Sequence, residues 1–237
     1  MAARGRIDLA QHVEAARREF EMAVAFHEAW KPAAYDAELQ GRLDHTYAAN
    51  TFNSIRAALR REMILALMRL WDTDSRTLNM EAIARSLQNK QTLAELSVRA
   101  TPLGELREVI RASVEARARE VVDLISAYIH GGAKLDVRKN LNDLRNNHLA
   151  HKNISEARVL GSTYSDDEVE AFYVDNSRIV QLLMSVVLAT SYNPADVAGV
   201  HKHYASLFWD GVKGEHTEGH PRFRPRALTP SSDGTSG

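Results

Sequence analysis

The 237-residue chain contains no cysteine. That absence excludes disulfide scaffolds, thiol nucleophiles and cysteine-type zinc sites, and it agrees with a reducing compartment. A dominant charge is missing too, because 30 Lys and Arg stand against 31 Asp and Glu for a net charge of −1. A general DNA binder carries a strong basic footprint, so any nucleic-acid contact here has to be local. No apolar run approaches the roughly 18 residues that a membrane span needs. The start, MAARGRIDLAQH, lacks the apolar core of a signal peptide. The expectation is a soluble, cytoplasmic protein with no membrane contact. Strand-like alternation bounded by turns is scarce, and no internal repeat is visible.

Hydrophobic residues make up 44% of the chain and recur at steps of three and four. The pattern predicts an all-α fold, a helical bundle of about six to seven helices. Asp8 is placed to cap a first helix running to Trp30 and stopping before Pro32, and a second, long helix covers Leu43 to Trp71. DTDSRT reads as a turn, in which Asp72 and Asp74 act as turn caps. A short helix follows from Met80 to Leu87. Thr101 as cap, Pro102 in the first helical position and Gly131 and Gly132 at the stop delimit the next. Another helix is expected from near Asp136 to Lys152 or Asn153. Ser165 and Glu168 form a capping box for a helix to about Ser191, and Asn193 with Pro194 opens a last one that Gly211 closes. Residues 1–212 read as a single domain. Residues 213–237, rich in Gly, Pro, Ser and Thr, are predicted to be a disordered tail.

One helix departs from its own pattern. Val137, Leu141 and Leu144 follow the apolar seam at steps of four and three, and the next two positions of that rhythm are His148 and His151. Arg145 lies about 60° around the helix from His148 and about 120° from His151, at 100° per residue. Burying these groups without partners would cost on the order of a few kcal/mol. They are therefore satisfied by neighbours in a core or interface, open to solvent in a cleft, or used. His148 and His151 are also an i, i+3 pair. A bundle metal site usually draws on Glu-x-x-His units, and no histidine here has an acid three residues before it, so no metal is expected.

The stretch RNNHLAH, from Arg145 to His151, resembles the signature of the HEPN superfamily (higher eukaryotes and prokaryotes nucleotide-binding domain). That signature is an arginine, usually followed by Asn, Asp or His, with a histidine after four to six further residues; Arg145, Asn146 and His151 fit it with five between. LMRLWDTD followed by RTLNM is similar to the abortive-infection branch, all-helical proteins of about this length. The resemblance is specific over this motif and looser from Phe20 to Trp209. His148 stands outside the family spacing.

The resemblance implies metal-independent RNA cleavage without a cofactor, in a two-fold homodimer of a defence or toxin-antitoxin system, with an antitoxin or regulatory protein as a further partner. The side chains are chemically adequate. His151, titrating near neutrality, serves as base or acid. Arg145 stays charged and presents a fork that matches phosphate oxygens. Asn146 can orient a partner or the phosphate, and His148 is a second proton handler or a packed neighbour. The alternative is a non-catalytic RNA- or partner-binding module of the same fold. Arg56, Arg60, Arg61, Arg107 and Arg111 have acids nearby and read as solvated helix faces. His201 and His203 point to different sides of their helix.

Overall fold

The computed structural model describes residues 7–44, 46–73, 78–100, 107–146, 165–214 and 218–219. Among these the chain is all-helical. In order the helices are α1 (Leu9–Tyr35), α2 (Ala37–Leu43), α3 (Ala48–Arg69), α4 (Met80–Gln88), α5 (Lys90–Ala100), α6 (Arg107–Ala127), α7 (Ala133–Leu144), α8 (Asp166–Leu188) and α9 (Pro194–Gly211). The only β pairing among the described residues is an isolated antiparallel bridge between Trp71 and Asn79.

Local signals set most of the starts. The Asp8 carboxylate accepts from the Gln11 amide at 3.1 Å, and Asn79 does the same for Ala82 at 3.0 Å. Ser165 and Glu168 close the expected capping box, with bonds of 3.1 and 2.7 Å. Asn193 and Pro194 open α9, which ends at Gly211. Gly131 and Gly132 turn the chain between α6 and α7 at φ values of 114° and 84°, a backbone region that costs other residues strain.

The nine helices among the described residues exceed the expected six to seven, and the extra ones have identifiable causes. α1 does not stop before Pro32; it continues to Tyr35 because Trp30 and Ala33 are buried and hold its last turns. Proline removes one donor and crowds the preceding turn, and packing outweighs that cost near the helix end. Asp36 then ends α1 and caps α2, accepting from Glu38 and Leu39. Leu43 therefore belongs to α2, and the long helix begins only at Ala48. α5 follows α4 after the extended residue Asn89, whose side chain accepts from the Gln91 and Thr92 amides. α7 starts at Ala133, three residues before Asp136. The Thr101 and Pro102 start lies outside the described residues, as does nearly all of the tail from residue 213.

α1 packs on α3, α8 and α9, while α6 packs on α4, α5 and α8. The main core takes Phe20 and Val24 from α1, Met63 and Leu67 from α3, Met80 and Ile83 from α4, Val121 and Ile125 from α6, and Phe172, Ile179 and Leu183 from α8. A smaller cluster joins Leu39, Leu43, Phe52 and Trp209. α7 enters the main core through Val137 and Leu141 and touches α3 and α8. Asp175 of α8 fastens its beginning, receiving hydrogen bonds from Tyr128 at 2.7 Å and Lys134 at 2.6 Å.

Candidate functional site

α7 delivers the candidate motif. Val137 and Leu141 are buried and Leu144 packs partly against the same core, so the seam runs as its spacing predicts up to the motif. Arg145 and Asn146 continue the helix in a wider, π-type turn, a feature that often re-aims side chains at functional sites. Arg145 is partly exposed and Asn146 is exposed. His148 and His151 lie outside the described residues, so the structure brings only Arg145 and Asn146 to one place.

What faces Arg145 comes from the end of α3. Its Nη2 stands 3.5 Å from Asp72 Oδ2, with both side chains about one quarter exposed (26% and 27%). Asp72 does cap its turn, since Oδ1 accepts from the Thr73 amide at 2.7 Å. The second oxygen is thereby left pointing towards the motif arginine. WDTD marked an acidic turn in the sequence, but nothing local tied it to Arg145.

Beneath Asp72 lies Trp71, almost fully buried. Its indole N–H donates to Asn176 Oδ1 at 2.9 Å, and the Asn176 amide donates to Phe172 O at 2.7 Å. Tyr128 and Phe172 pack around the indole, with ring centroids 5.2 and 5.9 Å away. Asn176 is itself fully buried, and its two bonds satisfy both ends of its amide. Trp71 is thus a fixed floor. Over its face, 5.9 Å from the ring centroid, sits the guanidinium of Arg138. Arg138 precedes Arg145 by seven residues, about two helical turns, so the two arginines share one face of α7. Burial pushes the Arg138 pKa down, and the field of Glu81 partly offsets it. Sequence reasoning missed Arg138: its seven-residue spacing from Arg145 is a signal visible in the chain, whereas its place over Trp71 is not.

Of the other basic candidates, four are engaged on helix surfaces, and Arg107 is exposed at the start of α6. Arg60 pairs with Asp166 and lies over Trp30, Arg61 pairs with Glu62 at 3.2 Å, and Arg111 pairs with Glu115 at 2.9 Å. Arg56 lies over Phe52. His201 and His203 belong to no group of potential metal ligands, and no such group occurs among the described residues. No described helix is long and apolar enough to cross a membrane.

A second titratable cluster joins α1 to α8. His27, almost completely buried, meets Glu170 Oε2 through Nε2 at 2.9 Å and Glu28 Oε1 through Nδ1 at 3.2 Å. The ring stacks on Tyr173 at 4.0 Å. Burial opposes charge on His27, but the bonds to Glu170 and Glu28 outweigh it and raise the pKa above the ordinary histidine value. The His27 bond lowers Glu170; for Glu28, burial pushes the pKa up, and His27 with Lys31 brings it below the ordinary value. Both ring nitrogens therefore face carboxylates.

The helical family described as AbiU2, of the HEPN group, matches residues 6–208. No curated protein and no solved structure matches the chain. The match takes in all nine described helices nearly to the end of α9, and it includes the turn carrying Asp72 and the helix carrying Arg145. The all-helical architecture agrees with it, and the chain belongs to the AbiU2 family of HEPN proteins.

Proposed function

We propose that this protein is a metal-independent endoribonuclease of a defence or toxin-antitoxin system, cutting RNA at the Arg145 to His151 motif. The observation that carries the reading is the placement of Arg145. It is a permanently charged fork at the end of a helix that the core holds firmly, partly exposed and directed towards the end of α3. Membership of the HEPN family supports a nuclease or an RNA-binding module at the coarser level.

The chemistry follows from the residue types. A base removes the proton of a ribose 2′-OH, and O2′ attacks the adjacent phosphorus in line. The P–O5′ bond then breaks, and an acid protonates the leaving O5′. The products are a 2′,3′-cyclic phosphate and a 5′-OH. His151 takes one proton-transfer role. Arg145 binds the non-bridging oxygens, where charge gathers in the transition state and where a planar fork fits better than a point charge. Asn146, exposed on the same turn, orients the phosphate. His148 adds a second proton handler or packs beside the first.

One motif supplies one proton-transfer histidine of the family spacing, whereas the reaction needs a donor and an acceptor. A two-fold dimer joined near the α7 seam places two Arg145/His151 sets across one cleft. RNA reaches that cleft as a single strand or loop, and an antitoxin or regulatory protein restrains it in the cytoplasm. No metal or cofactor enters the scheme.

The deciding experiment incubates labelled RNA with purified protein in EDTA, wild type beside His151→Ala. Cleavage by wild type alone, with cyclic-phosphate ends, is the expected result. Equal binding by both proteins with no cleavage would replace the nuclease with an RNA-binding module.

A further inference from the structure

Among the described residues four partly buried arginines are met by carboxylates, while Arg56 lies over Phe52. Arg17 has Glu14 and Glu21, Arg69 has Glu19, Arg60 has Asp166 and Arg145 has Asp72. Arg138 differs. Its guanidinium lies over Trp71, its Nε is fully buried with no hydrogen-bond partner, and it forms no ion pair among the described residues. Glu81 contributes a field at Arg138 but no ion pair. A cation withdrawn from water without a counter-ion is unfavourable unless something else uses it.

Its surroundings indicate what that is. Trp71 cannot shift to relieve Arg138, because Asn176, Tyr128 and Phe172 hold the indole from below. The guanidinium is thus presented on a rigid aromatic support, as a binding cation requires. Seven residues of helix separate Arg138 from Arg145, a rise of about 10 Å on one face. With one guanidinium over Trp71 and the other at Asp72, that rise suits two phosphates of a strand running along α7. Asp72 occupies the Arg145 end of this face and leaves the Arg138 end cationic.

We propose that Arg138 is a second RNA-contacting residue, holding through its guanidinium a backbone phosphate next to the one at Arg145, so that the face of α7 over Trp71 is a phosphate subsite. The inference rests on the reading of the protein as an RNA-cleaving enzyme and adds the path of the strand. The contact is to the backbone, so it strengthens binding equally for different sequences.

The test measures affinity for a labelled single-stranded RNA by fluorescence anisotropy over a series of salt concentrations. His151→Ala serves as the parent, so that the RNA stays intact. Arg138→Gln in that parent should weaken binding about tenfold and reduce the slope of log affinity against log salt by about 0.7, the loss of one phosphate contact to a single strand. Arg138→Lys should keep most of the slope. Arg111→Gln, which removes an exposed arginine paired on α6, should leave both quantities unchanged. Should Arg138→Gln lose its melting transition, Arg138→Met keeps the stem packed on Trp71 and removes the charge alone. An unchanged affinity, or a weaker affinity with an unchanged slope, overturns the subsite while the RNA-cleaving reading stands. A parent with no salt-dependent RNA binding overturns both.

Discussion

Arg145 Nη2 and Asp72 Oδ2 face each other at 3.5 Å across 73 residues of sequence, the first at the end of α7 and the second just after α3. The pair is partly exposed and longer than a close charge-assisted bond, so its contribution to stability is roughly 0–1 kcal/mol. Its effect is on aim, because it holds the guanidinium over the end of α3. Asp72→Asn should accordingly leave the melting temperature nearly unchanged and reduce RNA cleavage by on the order of tenfold to a hundredfold, the cost of a misdirected catalytic group. Parallel melting and single-turnover measurements check this. A variant as active as wild type would show that Arg145 needs no such guide.

The proposed mechanism gives the motif residues different physical jobs, so they should fail differently. His151→Ala should lower cleavage by about 10²- to 10⁴-fold, as expected for a lost proton-transfer group, with the fold intact. Arg145→Lys should also be defective although the charge is kept, because an ammonium cannot reproduce a two-pronged phosphate contact. His148→Ala should do less harm than His151→Ala. A His151→Ala protein that cleaves normally but loses its dimer would make that histidine structural.

The proposed mechanism brings two copies of α7 together across one cleft. Light scattering across micromolar concentrations should report twice the 26.5 kDa of one chain. A charge introduced on the seam, as in Leu144→Glu, should reduce both mass and cleavage, since partly buried Leu144 borders the motif. A strict monomer with full activity would remove the dimer from the mechanism.

The His27 cluster makes stability depend on pH from both sides. The folded pKa of His27 is raised above its unfolded value near 6.5, so its stabilisation is fully present below that pH and is lost as pH rises through the folded value. Glu28 and Glu170 are lowered below 4.5, so their contribution is present above that pH and is lost as pH falls through their folded values. The cluster therefore stabilises most between about pH 4.5 and 6.5. His27→Ala should cost about 1–3 kcal/mol there, mainly from hydrogen bonds left unmade around buried Glu28. It should also flatten the decline of melting temperature above neutral pH. An unchanged pH profile in the variant would mean that His27 is neutral in the folded protein.

Asn176→Ala removes the acceptor of the Trp71 N–H and the donor to Phe172 O from a fully buried position. The expected loss is about 1–3 kcal/mol of stability. RNA affinity should fall as well, because the floor beneath Arg138 loosens. Denaturant melts and anisotropy titrations at a temperature where the variant is folded separate the two effects.

Helix starts were legible in the sequence because capping is local: Asp8, Ser165 with Glu168, and Asn193 ahead of Pro194 each satisfy amides within three residues. The seam of α7 up to Leu144 was legible for a similar reason, since 3.6-residue periodicity is written along the chain. RNNHLAH could be read directly as a family signature. Pro32 was misread because local chemistry says stop, while the burial of Trp30 and Ala33 against elements distant in sequence says continue. What surrounds the site belongs wholly to tertiary structure. Arg145 meets Asp72 across 73 residues, Trp71 meets Asn176 across 105, and His27 meets Glu170 across 143. No periodicity or propensity encodes such pairs, because each depends on how two separately formed helices pack and on which partner satisfies a charge or N–H group that folding withdraws from water.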